Sequence, residues 1–270
     1  MSTGRRSEEW DVVLASAIAL ARQAGHEVSR RLGQRQTVTL KGDLNPVTEA
    51  DQAAETLIRQ HIEARFPRHA ILGEEQGEGG AEGPVRWIVD PLDGTVNFSH
   101  GFPHFAVSIG VANAEGVQVG VVYDPLRDEL FTARRGQAAF LNGARLRVSD
   151  TSALQRSLLA TGFPYDRHQK DDNNHREFIA FSLACQGLRR TGVASLDLAY
   201  VACGRLDGYW EQDLGPWDVA AGALLVTCAG GRLSTYTGEP FDGLGHQVVA
   251  SNDRLHDAML AKLATVRAHR

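Results

Sequence analysis

Two aspartates three residues apart, Asp90 and Asp93, stand in the run Trp87-Ile88-Val89-Asp90-Pro91-Leu92-Asp93-Gly94-Thr95-Val96-Asn97-Phe98. Pro91 and Gly94 mark a turn, and the spacing lets both carboxylates fall on one side of it. Thr95 and Asn97 follow at first-turn or capping positions of a short helix, whose free N–H groups face the same spot. Asp-Pro and Asp-Gly are also common in plain surface turns, so this segment alone leaves both readings open. Three further acids bear on the choice. Glu74 ends the apolar run Ala70-Ile71-Leu72, where a strand end would hold its side chain. Asp218 lies in the first turn of an apolar helix beginning near Trp217; such an acid ordinarily complements the helix dipole, but this one sits between an indole and a buried-looking face. Asp51 follows Thr48 by three, the spacing of a capping box, which fixes a carboxylate at a helix start.

If Glu74, Asp90, Asp93 and Asp218 share one cleft, each close pair repels by about 4 kcal/mol at an effective dielectric near 20. A cation must neutralise them, and residues 90–95 contain no Lys or Arg. With no paired Cys or His to suit a soft metal, an all-oxygen set selects Mg²⁺, or less selectively Mn²⁺ or Ca²⁺. Such ions beside helix N-termini suit a dianionic phosphate, polarise its oxygens and lower the pKa of an attacking water. Other chemistries lack their residues. There is no Gly-x-x-x-x-Gly-Lys-Ser/Thr, no Gly-x-Ser-x-Gly and no His-Glu-x-x-His. His100 and His104 are four apart, but Gly101 and Pro103 between them make a loop.

The elements that must position these residues are legible as patterns. An apolar stripe through Val13, Ala17, Leu20, Ala24, Val28 and Leu32 predicts a helix over residues 8–32, capped by Ser7 and stopped by Gly33. A short strand over 37–40 and a loop over 41–46 lead to a second helix with Thr48 as its cap. The Gly- and Glu-rich stretch 73–83 reads as a mobile surface loop. Residues 105–147 alternate apolar and polar between turn signals, an antiparallel meander. Strands and helices then alternate, from a strand over 158–161 to a closing helix over 252–266. The expected fold is a mixed α+β and α/β one, with a helix-plus-antiparallel-sheet half over 1–147 and an α/β half over 148–270.

At 270 residues, with 43% hydrophobic and 23% charged residues, the chain has the composition of a globular protein. A net charge of -5 with scattered Lys and Arg argues against a nucleic-acid-binding surface. No apolar run is long enough to span a bilayer and residues 2–9 lack a signal-peptide core, so a cytoplasmic protein without membrane attachment is expected. Cys185, Cys203 and Cys228 are far apart in apolar settings, as expected of buried thiols.

The segment Trp87 to Thr95 with Asn97-Phe98, the upstream Gly73-Glu74-Glu75 and Val47-Thr48-Glu49-Ala50-Asp51, and Trp217-Asp218-Val219-Ala220-Ala221-Gly222 with Gly230-Gly231 resemble the signature motifs of the inositol monophosphatase family. The resemblance covers almost the whole chain in the right order. It implies a layered αβαβα sandwich, usually a homodimer, that hydrolyses small phosphomonoesters with two or three Mg²⁺ ions and is often inhibited by Li⁺. Position by position, it implies metal ligation by Glu74, Asp90, Asp93, Asp218 and the Leu92 carbonyl. Thr95, with Asp51 behind it and Glu74 beside it, would orient and deprotonate the attacking water. Asp93 and the N–H groups of Gly94 and Thr95 would meet the substrate, whose hydroxyls Glu211 would grip in a pocket lined by Gly192, Val193 and Ala194. Val193 stands where many members carry Ser or Thr, and Val96 replaces a commoner Thr; neither change touches a metal ligand. Inositol-1-phosphate is the expected substrate, with histidinol phosphate, fructose bisphosphate and nucleotide 3'-phosphates as alternatives used by relatives of similar length. Some bacterial members also bind within transcription complexes.

Overall fold

The computed structural model of the chain describes residues 2–34, 38–41 and 46–268. Helix α1 (Ser2–Arg31) precedes a hairpin of β1 (Val38–Leu40) and β2 (Pro46–Thr48), which leads directly into α2 (Glu49–Arg65). Strands β3 (Ala70–Gly73), β4 (Gly77–Gly80) and β5 (Arg86–Asp93) come next, then the five-residue helix α3 (Thr95–Ser99). The meander follows as β6 (Ala106–Asn113), β7 (Gly116–Asp124), β8 (Glu129–Arg134), β9 (Phe140–Leu141) and β10 (Ala144–Arg145). The remainder alternates: β11 (Leu158–Thr161), α4 (His175–Ser182), β12 (Gly187–Arg189), α5 (Ala194–Ala202), β13 (Gly208–Gln212), α6 (Pro216–Cys228), β14 (Arg232–Ser234), β15 (Gln247–Ser251) and α7 (His256–Arg267).

An eight-stranded sheet runs in the order β10-β9-β8-β7-β6-β5-β3-β4, and a five-stranded one in the order β12-β11-β13-β15-β14. In the larger sheet only β3 and β5 pair in parallel; in the smaller, β11 is parallel to both β12 and β13. The two-residue period of a strand sends alternate side chains to opposite faces. Trp87 and Val89 accordingly join the core with α1 and α2, while Ile88 between them joins the core with α5 and α6. In the smaller sheet Ala160 and Tyr209 face α5 and α6, whereas Leu159 and Trp210 pack with Phe181 of α4 and Met259 and Leu263 of α7. The layers are therefore helices, sheet, helices, sheet, helices, the expected αβαβα sandwich.

Three local expectations are corrected. Ser7 lies within α1 rather than capping it, because Arg5, Arg6, Glu8 and Glu9 are good helix formers that carry the helix past it. The stretch 77–80 is a strand pairing with β3 rather than a loop; cross-strand pairing overrides the poor strand propensity of its glycines. Pro46 belongs to β2, not to the loop before it. Positions 37 and 42–45, expected as strand start and loop, fall outside the described residues. No helix among the described residues is long and apolar enough to cross a membrane.

Candidate active site

The end of β5 is bent to make the site. Its ladder with β6 runs regularly to Asp90, opposite Ser108, and resumes only at Asp93, opposite Ala106. Such an irregularity re-aims side chains. Here it places Asp90, 1% exposed, and Asp93, 7% exposed, at one spot. Gly94 then turns the chain into α3 with φ +101°, and a Cβ on it would lie 2.9 Å from Val193 Cγ2. The position needs glycine both for its left-handed backbone and for that close approach.

Asp218 arrives from the middle helix layer. Gly110 and Gly120 of the larger sheet let α6 approach closely: a Cβ on Gly110 would meet Ala220 Cβ at 2.8 Å, and one on Gly120 would meet the Ala221 carbonyl oxygen at 2.7 Å. Ser108 Oγ donates to the Trp217 carbonyl at 3.0 Å, tying the start of α6 to the strand that pairs with Asp90. Oxygens of Asp90, Asp93 and Asp218 thereby lie within 4.8 Å of one another.

Backbone N–H groups orient each of these carboxylates. Leu92 N donates to Asp90 Oδ1 at 2.9 Å, Ser195 N to Asp93 Oδ2 at 2.7 Å and Gly215 N to Asp218 Oδ2 at 2.6 Å. The donor groups do not offset burial and mutual repulsion. Burial first, then Glu74, Asp93 and Asp218, push the Asp90 carboxyl well above the usual range. Asp218 is raised well above its usual range by burial and then by Glu74 and Asp93, and Asp93 is pushed up to about 6, chiefly by burial. Two buried acids and a third partly buried one at such separations, unpaired with any cation among the described residues, offer the all-carboxylate oxygen set that a hard divalent cation takes.

Glu74 follows β3, where its N–H continues the ladder by donating to Val89 O at 3.1 Å. It stands outside the 4.8 Å group but contributes to the field raising all three aspartates. Lys41 reaches it from beyond β1, its Nζ 3.3 Å from Glu74 Oε1 and 2.6 Å from Glu75 Oε1. Burial opposes the ammonium charge, yet the two glutamates outweigh it and raise the Lys41 pKa. The absence of a cation in 90–95 thus holds for the aspartates but not for Glu74.

Thr95 Oγ1 lies 3.0 Å from Asp51 Oδ1 and 3.1 Å from the Leu92 carbonyl, as a donor that the two acceptors share. Asp51 also closes the expected capping box, with its Oδ2 accepting from Thr48 N and Thr48 Oγ1. Burial pushes Asp51 up to about 6, against the pull of its Thr48 and Thr95 donors.

Facing this cluster are the residues expected to line a pocket. Val193 is the N-cap of α5 and fully buried, Ala194 is the first helical residue, and Gly192 has φ +79° beside Arg190 Nη1. Asn97 Nδ2 clamps the two parts together, donating to His104 O at 2.9 Å and Thr191 O at 3.0 Å. Glu211 does not face open solvent. Its carboxylate accepts the Tyr209 hydroxyl and fills the space above Gly162, where a Cβ would lie 2.1 Å from Oε1. Burial raises it to about 7, with Arg190 and Tyr209 pulling the other way.

Sequence reasoning missed Lys41, Ser195 and Tyr165. Tyr165 keeps 44% of its surface exposed, and burial and then the carboxylates of Glu74, Asp93, Asp218 and Asp90 push its phenol up. Its only sequence signal is that Gly162 to Tyr165 follow directly on a strand end.

Known proteins are similar to this chain over most of its length. A 46% identical relative from Synechocystis, matching over 89% of this chain and 85% of its own length, is called inositol-1-monophosphatase. Another, from Salmonella typhimurium, is called Nus factor SuhB and is also 46% identical, over 93% of this chain and 95% of its own. The solved structure of an inositol monophosphatase from Anabaena superposes with a TM-score of 0.87 at 41% identity, covering 95% of this chain and 97% of that one. Residues 9–268 match the model of the inositol monophosphatase family, and the chain belongs to that family.

Proposed function

We propose that the chain is a Mg²⁺-dependent phosphomonoesterase that releases inositol and phosphate from inositol-1-phosphate. The observation that carries this reading is the convergence of Asp90, Asp93 and Asp218 within 4.8 Å, beside a Thr95 hydroxyl backed by Asp51. Glu74, Asp90, Asp93, Asp218 and the Leu92 carbonyl would hold the ions. Bound there, two or three Mg²⁺ ions would supply charge neutralisation, polarise the phosphoryl oxygens and acidify the attacking water.

The chain's own residues would do the rest. Thr95 turns its single hydroxyl proton inward to Asp51 and Leu92 O, which leaves its oxygen free to accept a hydrogen bond from a water. That water would be oriented by Thr95 and Glu74 and would pass its proton to the Thr95 oxygen as the Thr95 proton moves to the Asp51 carboxylate, a general-base role that needs only hydrogen-bond reach. The Gly94 and Thr95 N–H groups would hold phosphate oxygens. Glu211, with Gly192, Val193 and Ala194, would select the alcohol half. A homodimer completes this reading, and light scattering tests it.

A panel of phosphomonoesters assayed with Mg²⁺ tests the substrate: inositol-1-phosphate, histidinol phosphate, fructose-1,6-bisphosphate and a nucleotide 3'-phosphate. The highest kcat/KM is expected for inositol-1-phosphate, and a clear preference for another ester would replace it. A second reading, a binding role in a transcription complex, draws on the 46% identity to a relative called a Nus factor. Co-purification of transcription components with the folded Asp90→Asn protein would support it.

A further inference from the structure

A buried ion pair on α2, Glu55 with Arg59, lies behind the backbone that follows Glu74. Glu55 and Arg59 follow Asp51 at four-residue intervals along α2, so all three lie along one face of that helix. Glu55 is fully buried and Arg59 is 8% exposed. Arg59 Nε donates to Glu55 Oε1 at 2.7 Å. The same carboxylate takes the two backbone N–H groups that follow Glu74: Glu75 N donates to Oε2 at 2.8 Å and Gln76 N to Oε1 at 3.1 Å. Arg59 Nη2 donates to the Gly77 carbonyl, which begins β4. Both ends of the β3–β4 turn are thus fastened to one pair on α2.

The glycines of the turn fit this pair tightly. A Cβ on Gly73 would lie 2.2 Å from Glu55 Oε1, and one on Gly79 would lie 2.4 Å from Arg59 Nη1. The backbone on both sides of Glu74 therefore packs closely over the pair, and a side chain at either glycine would push the ends of Glu55 or Arg59 aside. On the other side, the Glu74 N–H is held by Val89 O, one residue before Asp90. Glu74 is fixed between β5 and α2, and the α2 face that holds it also carries the Asp51 carboxylate that holds Thr95.

We infer that Glu55 and Arg59 are positioning residues for Glu74, setting divalent-cation affinity rather than the chemistry at phosphorus. This rests on the reading of Glu74 as a metal ligand. Groups that orient a ligand from behind change metal affinity by roughly 10- to 100-fold when removed. With Gln in place of Glu55, one of the two N–H groups would face an N–H₂, which donates and cannot accept, and the other would keep only a neutral amide oxygen.

The test measures Mn²⁺ binding to the full-length, substrate-free protein by calorimetry, together with amide hydrogen exchange at Glu75 and Gln76. Glu55→Gln is expected to speed exchange at both amides and weaken Mn²⁺ binding roughly tenfold, while kcat at saturating metal stays near wild type. Arg59→Lys keeps the charge and loses the fork to Gly77, so it is expected to act in the same direction by a smaller factor. It also serves if Glu55→Gln does not fold. A double-mutant cycle with Glu74→Gln separates the two claims. If Glu55 acts through Glu74, adding Glu55→Gln to Glu74→Gln weakens binding no further. Wild-type Mn²⁺ affinity in folded Glu55→Gln or Arg59→Lys would overturn the positioning role; wild-type affinity in Glu74→Gln would instead overturn the ligand reading on which it rests.

Discussion

The Thr95 hydroxyl lies 3.0 Å from Asp51 Oδ1 while Asp51 Oδ2 closes the cap of α2 on Thr48. One carboxylate therefore holds both the start of a helix and the hydroxyl beside the acidic cluster. Asp51→Asn should lose about 1 kcal/mol of stability through the cap and lower kcat by roughly 100-fold or more through the water-orienting hydroxyl. Thr95→Ser, which keeps the hydroxyl, should retain most activity that Thr95→Ala loses. Melting curves and kcat at saturating substrate read both effects. An Asp51→Asn protein that melts lower yet turns over at the wild-type rate would confine Asp51 to the cap.

Raised carboxyl pKa values make stability depend on pH with a definite sign. Burial is the main cause for Asp51 and Asp93, each raised to about 6, and for Glu75, raised to about 7. The folded, metal-free protein holds these protons more tightly than the unfolded chain, whose carboxyls titrate near 4. Their contribution to stability is thus present below pH 4 and is lost as pH rises through 6 to 7. A divalent cation reverses this by favouring the ionised forms. Adding Mg²⁺ should therefore raise the melting temperature more at pH 7.5 than at pH 5.5. Equal shifts at the two pH values would count against cation binding at these carboxylates.

Li⁺ should inhibit at millimolar concentration by competing for a metal position, with KCl as the control for ionic strength. Equal loss of rate in the two salts would indicate screening rather than site occupancy.

Glu211 should discriminate substrates. Burial lifts its carboxyl to about 7, and its Tyr209 donor holds it in place beside Gly162. A charge-assisted hydrogen bond from a sugar hydroxyl contributes about 1.5 to 3 kcal/mol, so Glu211→Gln should weaken use of inositol-1-phosphate by roughly 10- to 100-fold. An aromatic phosphate without hydroxyls should be turned over as before. Equal loss on both esters would move Glu211 into the metal shell, and no loss on either would leave it structural.

What the sequence disclosed follows the range of the interactions concerned. Asp90 and Asp93 are legible because the turn that joins them is local, and the Thr48–Asp51 box because its partners are three residues apart. The layered sandwich is implied by the family resemblance, whereas the run 87–89 reads only as a buried apolar strand; that Trp87 and Val89 take one face and Ile88 the other is a finding of the structure. The second contact of Asp51, with Thr95, joins residues 44 apart and is anticipated only through the family resemblance. Lys41 on Glu74 and Glu55 on the turn after Glu74 leave no local trace at all. Gly77 to Gly80 read as a loop because glycine disfavours strands; only the tertiary structure shows that the missing Cβ of Gly79 makes room for Arg59.

The central claim is that Asp90, Asp93 and Asp218 gather a catalytic metal. Phosphate release from inositol-1-phosphate by metal-stripped protein, titrated with MgCl₂ and compared between wild type and Asp90→Asn, tests it most directly. The wild type should be inactive without metal and rise to a saturating rate, while folded Asp90→Asn stays lower by orders of magnitude at every Mg²⁺ concentration. Full activity without metal, or a folded Asp90→Asn protein matching the wild type across the titration, would contradict the assignment.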